Sequence, residues 1–227
     1  MKIAVLGAEC TGKSALVQAL VARFNSTTAP HTRSLPVPEH LRQWCDHMGR
    51  TPLAHEQAGI AQRQSQAIAD ATAAVGPGGV VVADTTALMT AVYSIHYFQD
   101  DTLLSTALAD QRAFDHTLLM GLDLPWQADG VQRDGPLARQ AVDALLRHHL
   151  TLAEVPYQVV YGAGAARLTN ALAALAHAPP ATGWACPVHD RLHGSSACAQ
   201  CGDAWAERQL FSRLLSIDRS PPQKDAP

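Results

Sequence analysis

Apolar and polar positions along the chain follow two alternating rhythms. Residues 2–6 (KIAVL), 80–83 (VVVA), 116–122 (HTLLMGL) and 156–161 (PYQVVY) are short, nearly continuous apolar runs. Runs of this length, rich in β-branched residues, predict strands buried on both faces of a parallel sheet. A shorter extended stretch is expected at 32–37. Between these runs the apolar positions recur with a helical period. Helices are expected at 15–24, 38–48, 52–75, 86–97, 101–112, 136–150 and 165–176. Gly76-Pro77-Gly78-Gly79 stops the long Ala/Gln-rich helix. Gly162-Ala163-Gly164 turns the fourth apolar run into the last of these helices. Strands alternating with helices predict an α/β fold with a parallel sheet.

The pattern changes at Pro179, where Cys, His, Gly and Trp take over. At ~150 residues per domain, 227 residues make one domain plus an appendage. The expected division is a main domain at 1–176, a Cys/His-rich extension at 177–219, and a disordered tail at 220–227. Hydrophobic residues make up 47% of the chain, enough for a core, while the net charge is only −3. That charge lacks the basic footprint of nucleic-acid or anionic-membrane binding, so neither partner is expected. No apolar run reaches the ~20 residues of a membrane span. The first apolar run ends at Glu9, too early for a secretion signal. The expected location is the cytoplasm.

The strongest chemical signal is Gly7-Ala8-Glu9-Cys10-Thr11-Gly12-Lys13-Ser14. It fits the phosphate-loop pattern G-x-x-x-x-G-K-[ST] in full, between an expected strand and an expected helix. The glycines let backbone N–H groups close around phosphate oxygens, and the helix adds its positive end. Lys13 is placed to reach the β- and γ-phosphates, and the Ser14 hydroxyl to ligate Mg²⁺. The motif predicts binding of a nucleoside triphosphate. Cys10 reads either as a small filler of the loop or as a thiol activated by the helix end. The run Val80–Ala83 delivers Asp84 at its C-terminal end, where open α/β sheets bind ligands. Asp84 then holds Mg²⁺ or accepts a proton, unless it is only a helix N-cap.

Five segments in order, GAECTGKS (7–14), PEHLR (38–42), IAQRQ (60–64), ADTTALMTAVYSIHYF (83–98) and LDLPWQADGVQRDGP (122–136), carry a family likeness. The chain resembles the AAA-type P-loop family that includes the ribosylnicotinamide kinase domain of the bacterial NAD regulator NadR. The likeness covers residues 1–176, and the Asp-Thr and Pro-Trp-x-Ala-Asp-Gly segments are its most specific parts. It implies a nucleoside-kinase-like fold that passes the γ-phosphoryl group of ATP to the 5′-hydroxyl of nicotinamide riboside or a similar nucleoside. The nucleotidyltransferase and DNA-binding parts of the full regulator are not expected in these 227 residues.

The resemblance also assigns roles. Similar kinases place a carboxylate near Glu39 to take the hydroxyl proton or hold the sugar, and Arg42 lies one helical turn on. Related kinases use the loop around residues 125–135 as a lid. This makes Arg133, and after it Arg139, the expected contacts to the transferring phosphate, since a guanidinium grips phosphate in a fork. Arg167, after the last strand, falls where relatives hold adenine. Aromatic residues are scarce, at 5%. Tyr97 and Trp126 are the candidates to stack on the acceptor ring, with Tyr93 on the same helix face as Tyr97. Asp123 and Asp129, which flank Trp126, are candidates to hold the ribose hydroxyls or to offset a pyridinium charge.

Three of the 5 cysteines lie in the last fifth of the chain. Cys186-x-x-His189 and Cys198-x-x-Cys201 have the spacing of two chelating pairs. They read either as a closed structural Zn²⁺ site, with His193 as a substitute ligand, or as ordinary reduced thiols. Residues 204–217 have an amphipathic pattern that could dock on the main domain or on a protein partner. Beside the kinase stand two other readings: a kinase for another nucleoside, and a regulatory ATP- or GTP-binding switch without a small-molecule acceptor.

Overall fold

A computed structural model describes residues 1–27, 33–127 and 135–176. Within them the chain runs β1 (Lys2–Leu6), α1 (Lys13–Thr27), β2 (Ser34–Val37), α2 (His40–Met48) and a 3-10 turn (Ala54–Glu56). It continues through α3 (Gln57–Val75), β3 (Val80–Asp84), α4 (Ala87–Phe98), α5 (Leu104–Gln111), β4 (His116–Met120), α6 (Pro136–Leu152), β5 (Gln158–Val160) and α7 (Gly164–Ala176). The expectations that fall on Asp129, Arg133, Cys186, His189, His193, Cys198 and Cys201 lie outside the described residues. So do the helix at 204–217, the extension at 177–219 and the tail at 220–227.

The five strands form one parallel sheet in the order β2-β3-β1-β4-β5. Successive residues of a strand face opposite sides, and the core divides accordingly. Ile3, Val5, Leu118 and Met120 pack with Leu16, Val17 and Leu20 of α1 and Ala171 of α7. Ala4, Leu6 and Leu119 pack on the other face with Leu88, Met89 and Val92 of α4 and Val142, Leu146 and Leu150 of α6. Val81 and Ala83 join Val37 and Ile68 of α3 in a smaller cluster. Helices on both faces leave little water-exposed sheet, so the strands read as continuous apolar runs. Among the described residues, no helix is long and apolar enough to cross a membrane.

Two boundaries moved for physical reasons. The helix expected at 15–24 begins at Lys13, because Gly12 O already accepts Leu16 N at 3.1 Å. Its first turn therefore lies inside the phosphate-loop motif. The helix expected at 52–75 begins only at Gln57. Glu56 folds back to accept Leu53 N at 2.7 Å and pairs with Arg50 through both carboxylate oxygens. This fixes a separate tight turn after Pro52. Chain order reverses around β1, with β3 on one side and β4 on the other, and such a switch point opens a crevice at the C-terminal strand ends.

Candidate active site

The loop between β1 and α1 is held from several directions. Gly7 has φ +147°, and a Cβ there would fall 2.9 Å from Met120 Cβ, so the loop needs glycine to pass over β4. Thr11 Oγ1 donates to Ala8 O at 2.8 Å, and Lys13 Nζ donates to the same oxygen at 3.0 Å. Lys13 is buried. Cys10 adopts φ +56°, the left-handed region, which costs a non-glycine residue about 1–2 kcal/mol. Its Sγ donates to Gln127 O at 3.1 Å and accepts from Gln127 N at 3.5 Å. The thiol therefore ties the loop to the segment that follows β4.

Two residues expected at the nucleotide or the sugar brace this loop. Arg167 is buried in α7, and its guanidinium donates to Thr11 O and to Asp123 Oδ1. Asp123 Oδ2 accepts Gly162 N at 2.7 Å. Both carboxylate oxygens of Asp123 are thus spent within the protein. Arg167 stitches the loop after β4 and the turn after β5 to the back of the phosphate loop. Trp126 is bonded to the loop as well. Its indole N–H donates to Glu9 Oε1 at 2.8 Å, and the ring does not line the cleft described below. Arg139, on α6, donates through one Nη to Leu124 O at 2.8 Å. Its Nε and other Nη are buried and have no partner among the described residues.

Asp84 ends β3 beside Val5 of β1, two residues before Gly7. It is not the N-cap of α4. That position belongs to Thr86, whose Oγ1 accepts Leu88 N at 3.3 Å and donates to Gln111 Oε1 at 2.7 Å. Between them Thr85 has φ +68°, a strained conformation for a β-branched residue, which positions the corner. Asp84 is buried, and its Oδ1 has no partner among the described residues. A buried oxygen of this kind fits a hard cation, as does the exposed hydroxyl of Ser14 in the first turn of α1.

A cleft of about 350 Å³ runs from the phosphate loop to α2, α3 and α4. Glu9 and Lys13 line one end, and Glu39, Arg42, Tyr93 and Tyr97 line the other. Glu39 is the N-cap of α2, yet its side chain makes no cap bond there. Its carboxylate is buried, with Arg42 Nε 3.4 Å from Oε2. Tyr93 and Tyr97 stack with centroids 6.3 Å apart, and Tyr97 is 45% exposed. Burial, and then the negative charge of Glu39 and Glu9, hold the Tyr93 hydroxyl well above its ordinary pKa, so it stays neutral. Burial, then Asp46 and Glu39, likewise raise the Cys45 thiol, which lines the cleft unionised.

The sequence reading overlooked Gln57, Cys45 and Leu53 at this cleft. Gln57 carried one signal. With Ile60, Ala61, Gln64 and Ile68 it belongs to the buried stripe of α3, so a glutamine stands where periodicity calls for an apolar residue.

A family model described as an AAA domain matches residues 2–167, and the chain belongs to that family. None of the curated proteins matches the chain. Among solved structures, the NadR protein in complex with NR aligns with a TM-score of 0.60 and 21% identity over 77% of this chain. The chain spans 50% of that structure's length. NadR in complex with NAD and AMP-PNP aligns with a TM-score of 0.56 and 18% identity, over 77% of this chain and 48% of that one. Deoxyadenosine kinase from M. mycoides aligns with a TM-score of 0.52 and 14% identity, over 78% of this chain and 99% of that one. These likenesses show a shared fold, that of P-loop kinases.

Proposed function

Taking membership of the AAA-domain family as premise, we propose that the chain is a small-molecule phosphotransferase. It passes the γ-phosphoryl group of ATP to the 5′-hydroxyl of a nucleoside of the nicotinamide riboside type. The observation that carries this reading is the continuity of the cleft. One cavity joins Lys13 of the phosphate loop to a buried carboxylate, Glu39, and a pair of tyrosines. A nucleotide switch needs the first part only. The NR and AMP-PNP named for the similar NadR structures are an acceptor and an ATP analogue of this kind.

The roles follow from the geometry. Backbone N–H groups of the loop and the first turn of α1 cradle the phosphates, and the Lys13 ammonium neutralises charge on the transferring group. Ser14 and Asp84 would hold Mg²⁺, which supplies charge neutralisation on the phosphates. Glu39 takes the proton as the acceptor oxygen bonds to the γ-phosphorus and ADP leaves. Arg42 orients Glu39 through their contact at 3.4 Å. Tyr97, backed by Tyr93, gives the flat ring a stacking face. Cationic rings gain further from the two tyrosines and from the carboxylates of Glu39 and Glu9. Arg139 serves the phosphate from α6, and Arg133 from the residues that precede it in the chain. The segment bonded to Cys10 and Glu9 closes over the loop and keeps water from the phosphate.

The test is ATP consumption by purified protein with Mg²⁺, with and without nicotinamide riboside and other nucleosides. The expected result is ADP and the matching mononucleotide in equal amounts, both dependent on the nucleoside. ADP formation at one slow rate whatever nucleoside is added would leave the switch reading and remove the kinase.

A further inference from the structure

The buried stripe of α3 carries a second glutamine, Gln64, between Ala61 and Ile68. It is 2% exposed and does not line the cleft. A primary amide in an apolar stripe is costly unless its donors and its acceptor are met. Here backbone groups meet them. Oε1 accepts His40 N at 2.7 Å, and Nε2 donates to Pro38 O and to Thr85 O, each at 3.4 Å. One N–H facing the oxygen and two carbonyls facing the nitrogen leave the amide a single orientation.

These three partners stand where the sheet opens into the crevice. The ladder between β2 and β3 ends at Val37 and Ala83. Past that point β2 leads into Pro38 and Glu39, and β3 into Asp84 and Thr85. The second of these corners is anchored to the sheet: Asp84 lies beside Val5, and Thr85 N donates to Val5 O at 3.1 Å. Its strained residue, Thr85 at φ +68°, persists because it is held at both its N–H and its carbonyl. The first corner is fixed from that one. The carbonyl before Glu39 and the N–H after it both end on the Gln64 amide. The ring of Pro38 restricts its own φ, and His40 N is one of the orphan donors at the start of α2. The backbone on either side of Glu39 is therefore pinned, while its carboxylate makes no cap bond and lines the cleft.

We propose that Gln64 is a positioning residue, a strut that fixes Glu39 relative to the Asp84–Thr85 corner and hence to the phosphate end of the cleft. It acts through backbone and not through contact with either substrate. The proposal rests on the phosphotransferase reading above and adds the residue that ties the base to the phosphate site.

The test is a double-mutant cycle on the full chain. Gln64→Met keeps the length of the side chain and removes all three bonds. It is made in wild type and in Glu39→Gln, and kcat for transfer to nicotinamide riboside is measured at saturating ATP and Mg²⁺. In wild type the change lowers kcat by about 10- to 100-fold, the effect of a base misplaced by about an ångström. In Glu39→Gln no base remains to be misplaced, and the same change lowers kcat by less than about threefold. Loss of folded molecules alone would act equally in both backgrounds, so equal losses overturn the proposal. So does a kcat within about twofold of wild type in folded Gln64→Met. If Gln64→Met loses its cooperative thermal transition, Gln64→Glu replaces it under the same criteria. That variant keeps the acceptor for His40 N and loses the donors to Pro38 O and Thr85 O.

Hydrogen exchange supplies a readout without turnover. The Gln43 amide donates to Glu39 O at 3.3 Å and so reports on the backbone of Glu39. AMP-PNP with Mg²⁺, without nucleoside, should slow its exchange by about threefold or more in wild type and leave it unchanged in the Gln64 variant. If wild type forms no mononucleotide, the kinase reading falls and exchange alone decides. Slowing that is lost in the variant sustains the strut. Equal slowing in both proteins, or none in wild type, overturns it.

Discussion

The two ends of the cleft are built on opposite terms. At the phosphate end, nearly every polar group of the loop is satisfied from within: Thr11 and Lys13 share Ala8 O, Arg167 bonds Thr11 O, and Asp123 is fully paired. At the acceptor end the protein leaves groups unfinished. Gln57 Oε1 is buried without a partner among the described residues, Glu39 makes no cap bond, and Tyr97 is nearly half exposed. The first arrangement spends the fold's bonds on shape, so that backbone donors stand ready for phosphate. The second stores unmet polar capacity that only a ligand can use. The loop side should therefore fail by losing stability, and the acceptor side by losing chemistry at little cost in stability.

Lys13→Ala should have the largest effect. A lost charge contact to the transferring phosphate lowers turnover by about 10³-fold, read from steady-state ADP release. Arg167→Met tests the phosphate end as structure. It strands Asp123 and frees Thr11 O, and urea unfolding should show a loss of about 2–4 kcal/mol, with weaker nucleotide binding as a consequence. If unfolding is unchanged while ATP affinity collapses, Arg167 touches nucleotide and the contrast fails. Glu39→Gln should lower kcat by about 10²-fold through loss of the base, with an unfolding midpoint equal to wild type or higher. Tyr97→Ala should raise KM for the nucleoside by about tenfold, leaving kcat and the KM for ATP nearly unchanged.

The smallest effect concerns pH at the cleft's rim. The Arg50 guanidinium, and then the bond from Leu53 N, bring the Glu56 carboxyl down from 4.5 to about 2. Its contribution is present above the unfolded value and is lost as pH falls from 4.5 toward 2. Water screens the pair, so only local loosening is expected. The Leu53 amide should exchange faster with solvent at pH 2.5 than the general pH dependence of exchange accounts for. Glu56→Gln should show the fast behaviour at every pH.

Much of the phosphate end was legible from residues alone, because its chemistry needs a fixed spacing of Gly7, Gly12, Lys13 and Ser14 next to a strand. The strand-delivered Asp84 was legible for the same reason. The braces were not. Arg167 and Asp123 are 44 residues apart, and Asp123 and Gly162 are 39 apart. Only the strand order brings them together, so residue type alone does not show the brace. The bond of Trp126 was not legible either, since nothing local reveals that Glu9 will hold its N–H. Glu39 and Arg42 were readable because one helical turn joins them. Gln57 was hidden by company: in an Ala/Gln-rich helix, only the buried stripe separates a cleft-lining glutamine from a solvated one.

The bond from Arg167 to Thr11 joins residues 156 apart, and this has a consequence for biosynthesis. The phosphate loop is synthesised 156 residues ahead of the side chain that braces it. At about 5–20 residues per second, the growing chain carries an unlocked loop for roughly 8–30 s. A ligand that binds only the braced loop would favour forms that include α7 over nascent forms that stop short of it.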